Sequence, residues 1–310
     1  MSVRLLGADP TTFSRVFDLM SEMNVTWVRA DFDWSAIEGV RGRFDWAYTD
    51  HVVNEASARG MKVLAVLDYT PGWARPAGTT SHTPPNDVNL YAEFARAAVQ
   101  RYAGRGVGAW EIWNEPNISD FWEPAPDADR YGDLFRAGAA AIRSTDPNAS
   151  VITGGLTRGT DKSDGTRISQ TTFLAQLYDN GTAQMADAIG IHPYSFPWLP
   201  SQSDPSLVGG FDDLPALHRL MTRRGDDDKQ IWITEFGAPT GTDAGAVSDD
   251  DQATAIAQAR KRVQSWSWAG PLIYFELRDG GTNPAAAEQN FGVALRDLRL
   301  KPSGEELLRR

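Results

Sequence analysis

The sequence predicts an α/β fold, a single (β/α)8 TIM barrel occupying residues 1–310. Three observations lead there. Short apolar runs rich in Val, Ile, Leu and aromatic residues recur along the chain. Each is followed by a longer stretch whose apolar residues fall at helical spacing. The length suits one such barrel, which typically needs about 250 residues and more with loop insertions.

The units follow in order. The run Val3–Gly7 precedes the amphipathic Thr11–Met23. Val25–Asp31 leads through a loop with Trp34 and Glu38 to Tyr48–Arg59. Lys62–Tyr69 precedes a Pro/Gly loop and then Asp87–Tyr102. Gly108–Asn114 precedes Asp127–Ser144, and Ser150–Gly155 precedes Gln170–Tyr178. Asp187–His192 precedes Asp212–Thr222, and Gln230–Glu235 precedes Asp249–Trp268. Pro271–Leu277 leads to a terminal helix near Ser303–Leu308. Eight such alternations imply parallel strands joined by crossover helices. A doubly wound sheet would carry a Gly-rich phosphate fingerprint after its first strand, and Gly7-Ala8-Asp9-Pro10 has none. Asp9, Asp87 and Asp127 are placed to cap helices. Asp249-Asp250-Asp251 suits a helix start, where negative charge meets the positive end of the dipole. No linker, repeat or low-complexity tail divides the chain. The stretches Gly154–Ser169 and Pro200–Phe211 have the composition of surface loops.

The net charge is −11, which argues against nucleic acid and anionic membranes as partners, because both are bound by Lys and Arg. A neutral or cationic polymer remains compatible. There are no cysteines, so disulfides and thiolate chemistry are excluded. No apolar stretch reaches the roughly 18 residues of a membrane span. Met1 to Gly7 contains no basic segment followed by an apolar core, so either the chain is cytoplasmic or an export signal has been trimmed. The Ala, Arg, Asp and Gly content suggests a cell-envelope or environmental polysaccharide as substrate; the compartment is left open, with an extracellular or cell-envelope setting expected. Nothing in the pattern points to an oligomer, and a monomer is expected.

Barrel sites lie where strands end. The second run ends with Arg29 and Asp31, followed by Asp33 and Trp34. The third ends with Asp68 and Tyr69, and the fourth with Trp113-Asn114-Glu115-Pro116-Asn117. The sixth ends with His192-Pro193-Tyr194, the seventh with Thr234-Glu235-Phe236-Gly237, and the eighth with Phe275-Glu276. Two glutamates, Glu115 and Glu235, thus stand at equivalent strand ends across a cleft. Cleavage of a glycosidic bond needs one protonated and one ionised carboxyl, and their separation decides between retention and inversion. Asn114 is placed to bond a sugar 2-hydroxyl. Of the 11 tryptophans, Trp34, Trp73, Trp122 and Trp198 lie in loop-like contexts, where indoles stack on pyranose faces.

These motifs resemble glycoside hydrolase clan A. Trp113-Asn114-Glu115-Pro116-Asn117 is similar to its acid/base motif, and Ile231-Trp232-Ile233-Thr234-Glu235-Phe236-Gly237 to its nucleophile strand. With His192-Pro193-Tyr194, Tyr274 to Gly280 and Asn290-Phe291-Gly292-Val293, the whole pattern most resembles family 39 and related bacterial exopolysaccharide hydrolases, then family 5. The resemblance implies Glu115 as acid/base and Glu235 as nucleophile. It implies that Tyr194 orients Glu235, Arg29 supports its charge and His192 lines the sugar site. Asp33, Asp68, Trp34 and Trp122 complete the expected substrate contacts. Many clan members carry Trp at the end of the eighth strand. Here Phe275 or Glu276 stands there, and Glu276 becomes a candidate ligand for a sugar hydroxyl.

The four histidines, at 51, 82, 192 and 218, include no His-x-His at a strand end, so no catalytic metal and no cofactor are expected. The expected reaction is retaining hydrolysis of a poly- or oligosaccharide, endo-acting in a groove. Exo action, transglycosylation and a non-catalytic carbohydrate-binding barrel remain open alternatives.

Overall fold

The computed structural model describes every residue except 204, 205, 207 and 310. The expected loop Pro200–Phe211 therefore lies partly outside the described residues. Strand β1 (Trp27–Asp33), β2 (Lys62–Asp68), β3 (Val107–Ile112), β4 (Val151–Thr153), β5 (Leu156–Thr157), β6 (Ala188–His192), β7 (Gln230–Phe236) and β8 (Ala269–Tyr274) form one sheet. Neighbours run β1-β2-β3-β4-β6-β7-β8, with β5 paired to β6, and all these pairings are parallel.

The expected first strand, Val3–Gly7, needs correction. The extended contact involves Met1 to Val3 instead. Arg29 N–H donates to Met1 O at 3.0 Å and Val3 N–H to Arg29 O at 3.1 Å. On the other side Ser2 N–H donates to Tyr274 O at 2.8 Å. One short segment thus bonds to both β1 and β8. From Leu5 onward the backbone turns, with Gly7 at φ 76°, and Leu6 is exposed. The expected strand at Ser150–Gly155 is also broken. Gly154-Gly155 interrupts it between β4 and β5.

The helices are α1 (Pro10–Glu22), α2 (Trp34–Ile37), α3 (Ala47–Ala58), α4 (Val88–Tyr102), α5 (Ala128–Thr145), α6 (Gln170–Asp179), α7 (Thr182–Met185), α8 (Leu214–Arg223), α9 (Asp249–Gln264) and α10 (Pro302–Leu308). The capping signals hold. Asp9 accepts from Thr12 N–H, Asp87 from Asn89 N–H, and Asp127 from Asp129 and Arg130 N–H. Each satisfies N–H groups that the helix itself leaves unpaired. Ser248 caps α9, with Asp249, Asp250 and Asp251 in its first turn.

Two apolar compartments flank the sheet. The large one lies under the helices and holds residues such as Val63, Ala65 and Leu67 of β2 with Phe94 and Ala98 of α4. The small one holds Leu64, Ala109, Ile152, Ala188, Trp232 and Ile273, one from each of six strands, packed with Trp27. Period-two alternation along parallel strands explains the division, since successive side chains take opposite faces. Trp232 fills much of the smaller compartment, and its ring meets Trp27 edge-on at 5.0 Å.

The segment after β8 is pinned by a buried ion pair. Lys301 Nζ donates to Asp279 Oδ1 at 2.8 Å, to Thr240 Oγ1 at 3.0 Å and to Asn290 O at 3.2 Å. Removing one member of a buried pair strands the other. Lys301→Ala is expected to lower unfolding free energy by about 3 kcal/mol, read as an earlier midpoint in urea. An unchanged midpoint would show that the pair contributes little.

Candidate active site

Glu115 follows β3 on a turn that leaves ordinary backbone conformations. Trp113 has φ 69° and Glu115 has φ 44°. Non-glycine residues avoid this left-handed region, and such positions cluster at functional sites. The turn is held from several directions. Trp113 N–H donates to Leu67 O at 3.0 Å, Glu115 N–H to Gly155 O at 3.2 Å, and Trp113 Nε1–H to Phe121 O at 2.7 Å. Asn117 Nδ2 donates to Thr157 O and Ile168 O, both at 2.9 Å.

Across the cleft Glu235 is the penultimate residue of β7 and sits in a dense polar network. Tyr194 OH donates to Glu235 Oε2 at 2.6 Å. Arg29 Nη1 donates to Glu235 Oε1. The same guanidinium donates from Nε to Glu111 Oε2 at 2.8 Å and from Nη2 to Asn114 Oδ1 at 2.8 Å. Burial raises the Glu235 pKa, but His192, Arg29 and the Tyr194 hydroxyl outweigh it and hold the carboxyl below its usual range. His192 Nδ1 lies 2.8 Å from Glu115 Oε1, and its Nε2 lies 3.0 Å from Thr234 Oγ1. Burial disfavours the charged imidazole, yet Glu235 and the Glu115 bond raise its pKa overall. One oxygen of each glutamate and a His192 ring nitrogen all lie within 4.8 Å of one another.

His192 fits because residue 155 is glycine. A Cβ there would stand 2.0 Å from His192 Nε2 and 2.6 Å from Thr234 Oγ1. Glu111, missed in the sequence, is the fully buried base of the network. Its Oε1 accepts from Gly155 N–H at 2.9 Å and from Thr234 Oγ1 at 3.2 Å. A carboxylate inside the apolar run Ala109–Ile112 was the available signal.

A cavity of about 720 Å³ opens over this network. Glu115, Glu235, Asn114 and Tyr194 line it, as do Asp31, Tyr69, Phe275 and Arg4. Burial, together with Glu235 and Asp33, pushes the Asp31 carboxyl up to about 6 against the pull of Arg29.

Several expected contacts are corrected. Trp34 is fully buried, stacks on Phe94 at 5.5 Å and donates from Nε1 to Glu38 at 2.7 Å. Trp122 is fully buried behind Trp113, 5.3 Å between ring centres. Both are core residues. Trp73 is half-buried outside the cavity lining, while Trp198 is exposed and lines the cavity. Asp33 caps α2, accepting from Ser35 Oγ at 2.6 Å and Ala36 N–H at 3.1 Å. Asp68 is fully buried, neither oxygen has a partner among the described residues, and burial beside Asp31 pushes its pKa well up. Glu276 is buried and gripped by Arg4, whose guanidinium lies 4.6 Å over the Phe275 ring. Phe275, not Glu276, is therefore the residue just after β8 that meets the cavity.

Glu115, His192 and Glu235 form the group among the described residues close enough to share a cation. Its donors already have partners. Glu235 faces Arg29 and Tyr194, and His192 faces Glu115 and Thr234.

Comparison with known proteins gives a consistent result. The family model described as Cellulase (glycosyl hydrolase family 5) matches residues 4–270. A β-xylosidase of Geobacillus stearothermophilus is 28% identical over 131 residues, which cover 38% of this chain and 26% of that protein. A β-xylosidase of Caldicellulosiruptor saccharolyticus is 31% identical over 120 residues, covering 35% of this chain and 24% of that one. The match thus spans about a quarter of each relative's length. Among solved structures, a family 39 glycoside hydrolase from Bacteroides cellulosilyticus WH2 superposes with a TM-score of 0.79 at 22% identity, covering 99% of this chain and 61% of that one. A GH39 β-xylosidase from Caulobacter crescentus gives 0.73 at 19% identity, covering 97% and 67%. At these identities the structures speak for the fold.

Arg29 carries the network's electrostatic balance. Arg29→Met leaves Glu111 and Glu235 buried without their cation. The expected cost is about 3–5 kcal/mol of stability, measured by chemical denaturation at neutral pH. Part of it should be regained in acid, where Glu235, no longer held ionised by Arg29, takes up a proton. Equal losses at both pH values would contradict this account.

Proposed function

The chain belongs to the cellulase family, glycosyl hydrolase family 5, and from that premise we propose that it is a retaining O-glycoside hydrolase in which Glu235 is the nucleophile and Glu115 the acid/base. The carrying observation is their spacing. One oxygen of each, with His192, falls within 4.8 Å. Retaining enzymes hold their carboxyls about 5–5.5 Å apart, whereas inverting ones leave about 6.5–9.5 Å for a water.

The residues divide the work by their bonds. Arg29 and Tyr194 keep Glu235 ionised and aimed, ready to attack the anomeric carbon. Glu115 delivers a proton to the departing oxygen and later takes one from water. Glu115 Oε1 and His192 Nδ1, 2.8 Å apart, are placed to pass a proton between them for that transfer. Arg29 occupies Asn114 Oδ1, which leaves the amide Nδ2 as the donor offered to a sugar 2-hydroxyl. Phe275 and Trp198 offer aromatic faces to pyranose rings.

The fold is proposed to be one closed (β/α)8 barrel forming a single domain, supported by the bonds of Met1–Val3 to both β1 and β8. Action is proposed to be endo, because the cavity runs from Arg4 and Glu288 to Trp198 and Lys162 on the loops after β6 and β5. The functional unit is proposed to be a monomer.

Because the curated relatives are β-xylosidases, aryl β-xylosides head the substrate panel, followed by other aryl glycosides and defined polysaccharides. NMR of the first product should show a retained anomeric configuration, and Glu235→Ala should lose at least about 10⁴-fold in kcat while staying folded. Inverted product, or an active Glu235→Ala, would refute the assignment.

Tyr194→Phe removes a hydrogen bond that favours the ionised Glu235, so its pKa must rise. The nucleophile must be ionised, so the acidic limb of kcat/KM should move to higher pH. A bond to a charged group is worth about 1.5–3 kcal/mol, which places the movement at about one pH unit or more. A limb that stays in place would exclude Tyr194 from this role.

A further inference from the structure

One wall of the cavity carries positive charge that no acid among the described residues pairs. Arg158 follows β5, and Arg167 lies before α6 on the same loop. Both line the cavity with Glu115 and Glu235. Arg158 is fixed, because its Nη1 donates to Tyr194 O at 2.9 Å and Phe196 O at 2.7 Å, with the guanidinium 4.5 Å over the Phe196 ring. Those partners are neutral. Arg167 lies across Gly159, where an added Cβ would stand 2.5 Å from its Cδ. Its buried Nε has no hydrogen-bond partner among the described residues.

The loop's own acids are turned elsewhere. Asp161 accepts from Ser169 N–H at 2.6 Å and Thr172 Oγ1 at 2.9 Å. Asp164 accepts from Thr166 N–H at 3.0 Å and its Oγ1 at 2.7 Å, and it offsets part of the charge of Lys162. The arginines have no such relief among the described residues. Burial, with the like charge of Arg167, holds the Arg158 guanidinium below its ordinary value. Two half-buried guanidinium groups repel one another, and an anion between them would relieve that cost. Arginine presents planar paired donors, which match carboxylate and sulfate oxygens.

We propose that Arg158 and Arg167 form an anion subsite in the cleft, so that the saccharide bound beside Glu115 carries a carboxylate or a sulfate ester. The proposal rests on the glycosidase reading and names the substrate class for that site. The subsite adjoins the Glu115 turn directly. Thr157 N–H donates to Asn117 Oδ1 at 2.9 Å and Ser119 N–H to Thr166 O at 2.9 Å. A charged sugar held there would register the chain against the acid/base.

Calorimetric titration of the full chain with D-glucuronate, inorganic sulfate and glucose tests this. Saturable binding of an anion is expected, weakening with added salt, with glucose at least ten-fold weaker. Arg167→Gln should cost the anion ten-fold or more, and Arg167→Lys should keep part of the affinity. Tighter glucuronate identifies a uronic acid, and tighter sulfate a sulfated sugar. Glucose binding as well as glucuronate, no saturable anion binding, or a wild-type response from Arg167→Gln overturns the proposal. Turnover of aryl glycosides, with aryl glucuronides and sulfated aryl glycosides included, is scored separately. Turnover without anion binding refutes the subsite alone, and anion binding without any turnover refutes the hydrolase reading.

Discussion

The candidate site depends on one buried guanidinium. Arg29 bonds at once to Glu111, Asn114 and Glu235, which come from β3, the turn after it, and β7. A buried charge is tolerable only when paired and hydrogen-bonded. That requirement runs both ways here. Glu111 and Glu235 need the cation, and the cation needs both of them and the amide. Thr234 and Gly155 N–H then complete Glu111, and Thr234 carries His192. The placement of Glu115 against Glu235 is thus a property of a connected lattice of bonds rather than of two independent side chains.

Much of this was legible in the sequence, for a specific reason. Parallel strands read as apolar runs, so the polar residues that end them stand out. Arg29, Asn114, Glu115, His192, Tyr194 and Glu235 were all visible that way, and the structure brings them together. The misreadings share another cause. Trp34 and Trp122 sit among Pro, Gly and Asp, which suggests exposure, yet tertiary packing covers both. Asp33 looked like a ligand because a cap and a ligand use the same carboxylate chemistry. Glu276 could be judged only once Arg4, 272 positions away in sequence, was seen to grip it. No local pattern encodes such a pairing. The first strand was misplaced because Val3 and Leu5 alternate correctly, while the backbone bonds that decide the matter lie at Met1 to Val3.

Net charge was a poor guide to the cleft. A value of −11 argues against a polyanionic surface partner. It says little about a recess where Arg158 faces neutral carbonyls and the Arg167 Nε has no hydrogen-bond partner among the described residues. Fields inside a cleft are set by the nearest unscreened groups, since screening removes distant surface charges within about 8 Å at physiological salt. An acidic exterior and a cationic subsite are therefore compatible, and the exterior would repel anionic chains that lack a reason to enter.

The backbone at Trp113 and Glu115 has a consequence for how the molecule can change over time. Left-handed conformations at non-glycine residues cost about 1–3 kcal/mol each, drawn from the stability of the whole fold. Glycine at position 115 would recover part of that energy and remove the carboxyl. Selection for thermal robustness alone would therefore favour losing the group on which the proposed chemistry turns. A lineage that keeps Glu115 at φ 44° accepts a standing trade-off between endurance and turnover, located at a single residue.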